Sequence, residues 1–245
     1  MKNLFKIHPL TYFIILTVLL SGYFNYILII SMILLIHDLG HVLIIKLFKY
    51  KIKTIEILPF GCVINTNITP NSKSLELFFI SLAGITFQIV LFPLIYALNG
   101  VIIGDNSYEI FMKYNTLLII FNILPIIPLD GSKILMSIVE SFISYKKSLV
   151  IINIISIIFL IAFIIYQTIY SFNAYLIISF LLFKTYETIK EHKFLFNQFI
   201  MSRYLNNRKE RKIKYINSIN SLYKNKYNFI NGKPEEKIIS NLFNF

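Results

Sequence analysis

Apolar residues run in six blocks along the chain, at about 9–21, 24–46, 75–98, 110–129, 149–169 and 173–189. Most approach the roughly 20 residues that a helix needs to cross a bilayer. The first and last are short for a full span and suit tilted or partly re-entrant segments. After the second block, the stretch from Lys51 to Lys73 contains TIEILPFGCVINTN. Its short alternating strands, with Pro59 and Gly61 at the bend, predict a hairpin at the membrane surface. The pattern therefore predicts an all-α polytopic membrane protein with about six transmembrane helices, a small membrane-surface β-hairpin and a short cytoplasmic tail. Residues 1–189 form the intramembrane domain and 190–245 a basic tail.

Composition agrees with that pattern. Hydrophobic residues make up 56% of the 245 and charged residues 15%, which would leave a soluble domain exposing too much apolar surface. The charges orient the blocks. Lys46, Lys49, Lys51 and Lys53 follow block two, Lys133, Lys146 and Lys147 follow block four, and Lys184, Lys190 and Lys193 follow block six. The alternate turns, Ser21 to Asn25, Asn99 to Glu109 and Thr168 to Asn173, carry no Lys or Arg. Lys113 is the one mild exception. The positive-inside rule then places the basic loops and both termini in the cytoplasm of a multi-pass membrane protein. The formal net charge of +12 lies largely in those loops and the tail, so anionic lipid headgroups are its expected partner and nucleic acid is not. A single cysteine, Cys62, excludes an internal disulfide framework and a Cys-rich metal site. The first block follows Lys2 and Lys6 without a small-residue cleavage pattern and reads as a retained anchor.

Candidate chemistry enters with block two, SMILLIHDLGHVLIIKLF. Ionisable groups at bilayer depth are costly and usually functional. On a helix, positions i and i+4 share a face, so His37 and His41 can offer two imidazole nitrogens to one zinc ion, with Asp38 beside them. The topology supplies a third ligand. Block two runs toward the cytoplasm, leaving His41 roughly 7 Å inside its end at 1.5 Å per residue. Block four runs the same way and ends NILPIIPLDGSK, which brings Asp130 to nearly that depth. Two histidines and a carboxylate suit a catalytic zinc with its fourth position open to water. Pro125 and Pro128 break the helix ahead of Asp130, and Gly131 is expected to permit a turn just after it. Asn122 would line the opened backbone, either satisfying a freed carbonyl or binding substrate.

The residue after the first histidine of a zinc peptidase is normally Glu, which takes a proton from water and returns it to the leaving nitrogen. Asp38 is one methylene shorter, which leaves three readings: a variant with adjusted geometry, a weakened enzyme, or a substitution that keeps only metal binding. The hairpin offers a strand edge on which an unwound substrate could lie extended. In block three, SLAGITFQ places Ala83 and Gly84 for close helix approach and Gln88 on an apolar wall, either lining the site or making a packing hydrogen bond.

Taken together, HDLGH, PFG at Gly61, SLAG with Gln88, and NILPIIPLDG resemble the site-2 protease family of intramembrane zinc metalloproteases (peptidase family M50), and most closely its sporulation branch, over about residues 5–205. The resemblance implies zinc held by His37, His41 and Asp130, a general base at Asp38, and a supporting role for Asn122. It also implies cleavage of a membrane-associated regulatory protein, such as a sporulation pro-sigma factor, under inhibitory membrane protein partners; a homo-oligomer is compatible with it. This chain departs from the family pattern at Asp38, Cys62, Ile85 and Ser132. Cys62 could reach the metal, but a small packed side chain is its simpler role.

The tail carries Arg203, Arg208, Lys209, Arg211, Lys212 and Lys214, read as a helical extension at the headgroups, followed by a stretch able to form only a small module, too short for the paired nucleotide-sensing module common in the family. His8 and His192 read as ordinary interfacial residues. Two rivals stand beside the protease: a client-binding homologue made inactive by Asp38, and a metal-ion transporter.

Overall fold

A computed structural model describes residues 24–58, 61–170, 175–205 and 212–243, with isolated positions among 5–22. The first apolar block, His8, Pro59 and the cations Arg208, Lys209 and Arg211 lie wholly or largely outside the described residues. The described chain is mostly helical, with two small sheets, and its backbone contacts divide it into two compact units.

The first unit comprises residues 1–68 and 79–123. Helix α1 (Phe24–Leu47) is apolar on nearly every side. Leu28, Met32, Leu35, Leu39 and Leu43 are exposed at three- and four-residue spacing, whereas Ile33, His37 and Gly40 are buried. A helix whose apolar stripe faces outward and whose polar group faces inward is suited to a lipid solvent. Helix α2 (Ser74–Leu98) and helix α3 (Asp105–Ile123) follow, and Ile33, Leu91, Ile95 and Phe111 form the apolar core. The expected hairpin is present as β2 (Ile52–Leu58) and β3 (Gly61–Thr66), paired antiparallel with Ile57 opposite Cys62. Strand β1 (Phe5–Ile7) adds parallel to β2. The sheet order β1-β2-β3 leaves β3 at an edge.

The second unit comprises residues 69–78 and 124–245. Its helices are α4 (Asp130–Phe142), α5 (Tyr145–Tyr170), α6 (Tyr175–Lys190), α7 (His192–Leu205) and α8 (Glu235–Phe243). The prolines act as expected, since α3 stops at Ile123 and the next helix starts at Asp130. The backbone they free is satisfied within this unit: Ser156 donates to the Pro125 carbonyl, the Ile127 N–H donates to Ser156, and Thr185 donates to the Ile127 carbonyl. Gly131 corrects the sequence reading. It does not turn the chain but sits in the first turn of α4, because a helix started at Asp130 places the acid at the positive end of the helix dipole.

Three described helices are long and apolar enough to cross a membrane: α1, α2 and α5, the last over Tyr145–Tyr166. Six spans are not seen among the described residues. Helix α3 opens with Asp105, Glu109 and Lys113, and α6, with 16 residues, reaches only about 24 Å at 1.5 Å per residue.

The C-terminal residues fold into a small module, as the sequence allowed, and of the cations expected at the headgroups it corrects the reading of Arg203. Strand β4 (Ile213–Ile216) pairs parallel with β5 (Tyr227–Ile230), which turns through Asn231 and Gly232 into β6 (Lys233–Pro234). Phe199, Leu222, Ile230 and Ile239 share a core with Tyr145 and Leu149. Arg203 is 7% exposed: it forms a bidentate pair with Glu235, at 3.0 and 2.8 Å, and donates to the Lys224 and Lys226 carbonyls. A guanidinium so engaged is unavailable to lipid. Lys212 and Lys214 are exposed.

Lys224 and Glu140 form an ion pair at 2.6 Å with both side chains 1% exposed. Removing one partner strands the other charge, so Lys224→Met is expected to cost about 3–5 kcal/mol, and the double change Lys224→Met/Glu140→Leu considerably less. Denaturation midpoints of the three proteins in detergent check this; equal midpoints for the single and double variants would contradict it.

Candidate metal centre

The site begins with one helix turn. His37 and His41, four residues apart on α1, bring their Nε2 atoms to 3.1 Å with ring planes nearly perpendicular. Each ring is fixed from behind. The His41 Nδ1 lies 2.7 Å from the Ile80 carbonyl oxygen, and the His37 Nδ1 lies 3.0 Å from Gln88 Oε1. Both partners are acceptors, so both Nδ1 atoms carry the hydrogen. Each Nε2 then presents a lone pair, and the two lone pairs face one another. A cation resolves that repulsion, and a histidine ligand that donates its other N–H to a carbonyl is the usual arrangement at metal sites.

Small residues make the approach possible. A Cβ on Gly84 would lie 2.4 Å from His37 Cε1 and 2.6 Å from each Nε2, and one on Gly40 would lie 2.8 Å from the Ala83 carbonyl oxygen and 3.0 Å from the Phe87 ring. The backbone of α2 therefore sits directly against both imidazoles. Gln88 is fully buried, and Asn115 on α3, also fully buried, donates from Nδ2 to the Gln88 carbonyl at 3.0 Å. The sequence reading overlooked Asn115. Its position seven residues before Asn122 in an apolar helix was the available sign. The Ile80 carbonyl left no sign at all, being backbone.

Asp130 is buried, at 4% exposure, in the first turn of α4, and Lys133 donates to its Oδ1 at 2.9 Å. Within the first unit, His37 and His41 each offer one nitrogen to a shared cation, a donor pair that suits a divalent transition metal.

Asp38 turns from the same helix toward β3, where its Oδ2 accepts the Cys62 N–H at 2.6 Å. Gly61, with φ of +125°, places its backbone so close that a Cβ there would lie 3.3 Å from Asp38 Oδ2. Asn122 is half-buried at the penultimate position of α3. The carbonyls freed by the prolines take their hydrogen bonds from Ser156 and Thr185 instead. His192 bonds to Asn153, and burial lowers its imidazole below the ordinary range.

Gln88→Ala is expected to weaken metal binding about 10- to 100-fold, as loss of an outer-shell partner typically does. Titration with a zinc-selective chelator measures the change; unaltered affinity would remove Gln88 from the site.

No protein-family model matches the chain. It is similar to stage IV sporulation protein FB of Bacillus subtilis (strain 168), with 27% identity over 208 residues, covering 83% of this chain and 72% of that protein. Among solved structures it is similar to the site-2 protease from Methanocaldococcus jannaschii, with a TM-score of 0.53 and 22% identity, covering 75% of this chain and 89% of the other. The second likeness is one of fold.

Proposed function

The chain belongs to the site-2 protease family, and on that premise we propose that it is an intramembrane zinc metalloprotease that cleaves a membrane-associated regulatory protein, such as a sporulation pro-sigma factor. The observation that carries this reading is the pair of facing Nε2 lone pairs, each fixed by an acceptor behind its ring. His37, His41 and Asp130 would hold the zinc. When bound, zinc supplies Lewis acidity, which lowers the pKa of water and polarises a carbonyl.

The remaining chemistry belongs to the chain. Asp38 takes a proton from the attacking water as its oxygen bonds to the peptide carbon, and returns that proton to the amide nitrogen as the C–N bond breaks. The edge of β3 aligns an unwound substrate by strand pairing, which a helical substrate needs before its carbonyl is reachable. Both termini lie in the cytoplasm in this reading, with exposed tail lysines near anionic headgroups, and membrane protein partners hold the enzyme inactive until signalled. Asn122 has a supporting role near the active site.

The test is cleavage by the purified chain in detergent with zinc. A membrane-tethered pro-sigma substrate should be cut by the native chain and left intact by Asp130→Ala. Metal flux without cleavage would instead identify a transporter, and tight client binding without turnover a scaffold.

A further inference from the structure

The contact between Asp38 and Cys62 carries a consequence for how this site holds its base. Asp38 has one methylene fewer than glutamate, and a general base must stand about 2.6–3.2 Å from the proton it abstracts. A short acid on a helix has few rotamers with which to find that position, so its surroundings decide where it points. Those surroundings are β3. The Cys62 N–H donates to Asp38 Oδ2 at 2.6 Å, which sets the Cys62 side chain beside the same carboxylate, close enough for its charge to act on the thiol. Gly61, whose φ of +125° favours glycine, leaves open beside Asp38 Oδ2 the place that a Cβ would take at 3.3 Å.

We propose that Cys62 is a positioning residue for Asp38: its backbone N–H and thiol together hold the short carboxylate in its working orientation, and the pocket is fitted to aspartate rather than damaged by it. This rests on the protease reading above and states which part of the chain sets the base.

Two further points support it. Burial and then the charge of Asp38 push the Cys62 thiol up to about 12, so the sulfur keeps its hydrogen and remains a donor. Cys62 also lies opposite Ile57 on an edge strand. Its N–H points to Asp38 and away from the β2 ladder, so the bond to the carboxylate takes no hydrogen bond from the sheet. A glutamate would carry its carboxylate about 1.5 Å further, one C–C bond, toward Cys62, whose N–H already stands 2.6 Å from the aspartate oxygen.

The test combines a mutant cycle with a thiol measurement on the purified full chain in detergent. Asp38→Glu is expected to lower kcat by about 10-fold or more, within the range that general-base catalysis commands. Cys62→Gly in the native background should lower kcat several-fold with KM unchanged, whereas Cys62→Ser, which keeps a donor, should retain most of the activity. The double variant D38E/C62G should recover most of what D38E loses, because removing the thiol makes room for the longer acid. Independently of turnover, maleimide labelling of the single cysteine should be several-fold faster in Asp38→Ala than in the native chain.

Equal effects of C62G in the native and D38E backgrounds would overturn the proposal, as would labelling that ignores Asp38→Ala. If no variant and not even the native chain cleaves, the protease reading fails, while the labelling rates still decide whether Cys62 holds the carboxylate.

Discussion

Gly84→Ala is expected to abolish metal loading and cleavage while the protein remains folded. The added methyl would stand 2.4 Å from His37 Cε1 and 2.6 Å from both Nε2 atoms, well inside the roughly 3.5–4.0 Å at which carbon atoms touch. Something must move, and the choices are poor. His37 is held by Gln88 and His41 by the Ile80 carbonyl, so rotating either ring breaks its rear hydrogen bond. Separating α2 from α1 instead would open the contact at Gly40, where Ala83 and Phe87 already press. Misplacing a reacting group by about 1 Å costs on the order of 10²-fold in rate, and two displaced ligands should cost more. Zinc content per chain and cleavage rate are the measurements. Gly104→Ala is the control, since a Cβ there meets nothing within 4 Å. Full zinc occupancy in Gly84→Ala would show that the histidines do not form the site.

His41→Ala should be comparably severe for a different reason. It removes one of the two facing Nε2 atoms and the hydrogen bond that the ring makes to the Ile80 carbonyl. The fold should tolerate the change, because His41 is only half-buried and the helix around it is continuous. Loss of one ligand from three should lower kcat/KM by on the order of 10³-fold, or about 4 kcal/mol of transition-state stabilisation. His192→Ala is the matched control: its partner is Asn153, so zinc content and turnover should be unchanged. Normal zinc content in His41→Ala would remove that residue from the ligand set.

These predictions draw on two kinds of information. The pairing of His37 with His41 is legible along the chain because a helix repeats every 3.6 residues, so four-residue spacing alone sets them on one face. The end of α3 was equally legible, since Pro125 and Pro128 cannot continue a helix and the next one starts at Asp130. The hairpin could be read from strand alternation around a Pro-Phe-Gly bend, and β1 could not, because three residues carry too little pattern. Arg203 was misread for a physical reason: a charged run looks solvent-facing until its partners are known. Arg203 meets Glu235, 32 residues later, and Lys224 meets Glu140, 84 residues earlier.

By itself, the sequence determined that the protein is built for lipid, that two imidazoles share one helix face near an acid, and that a second acid follows a proline break. These are local properties, set by hydropathy and by backbone periodicity. Only the tertiary structure decided which nitrogen of each histidine is held from behind, that Gly84 leaves room for both rings, and that Cys62 meets Asp38. Each of these depends on atoms brought together from distant parts of the chain, some of them backbone atoms such as the Ile80 carbonyl and the Cys62 N–H, which every residue carries and no pattern of side chains can single out.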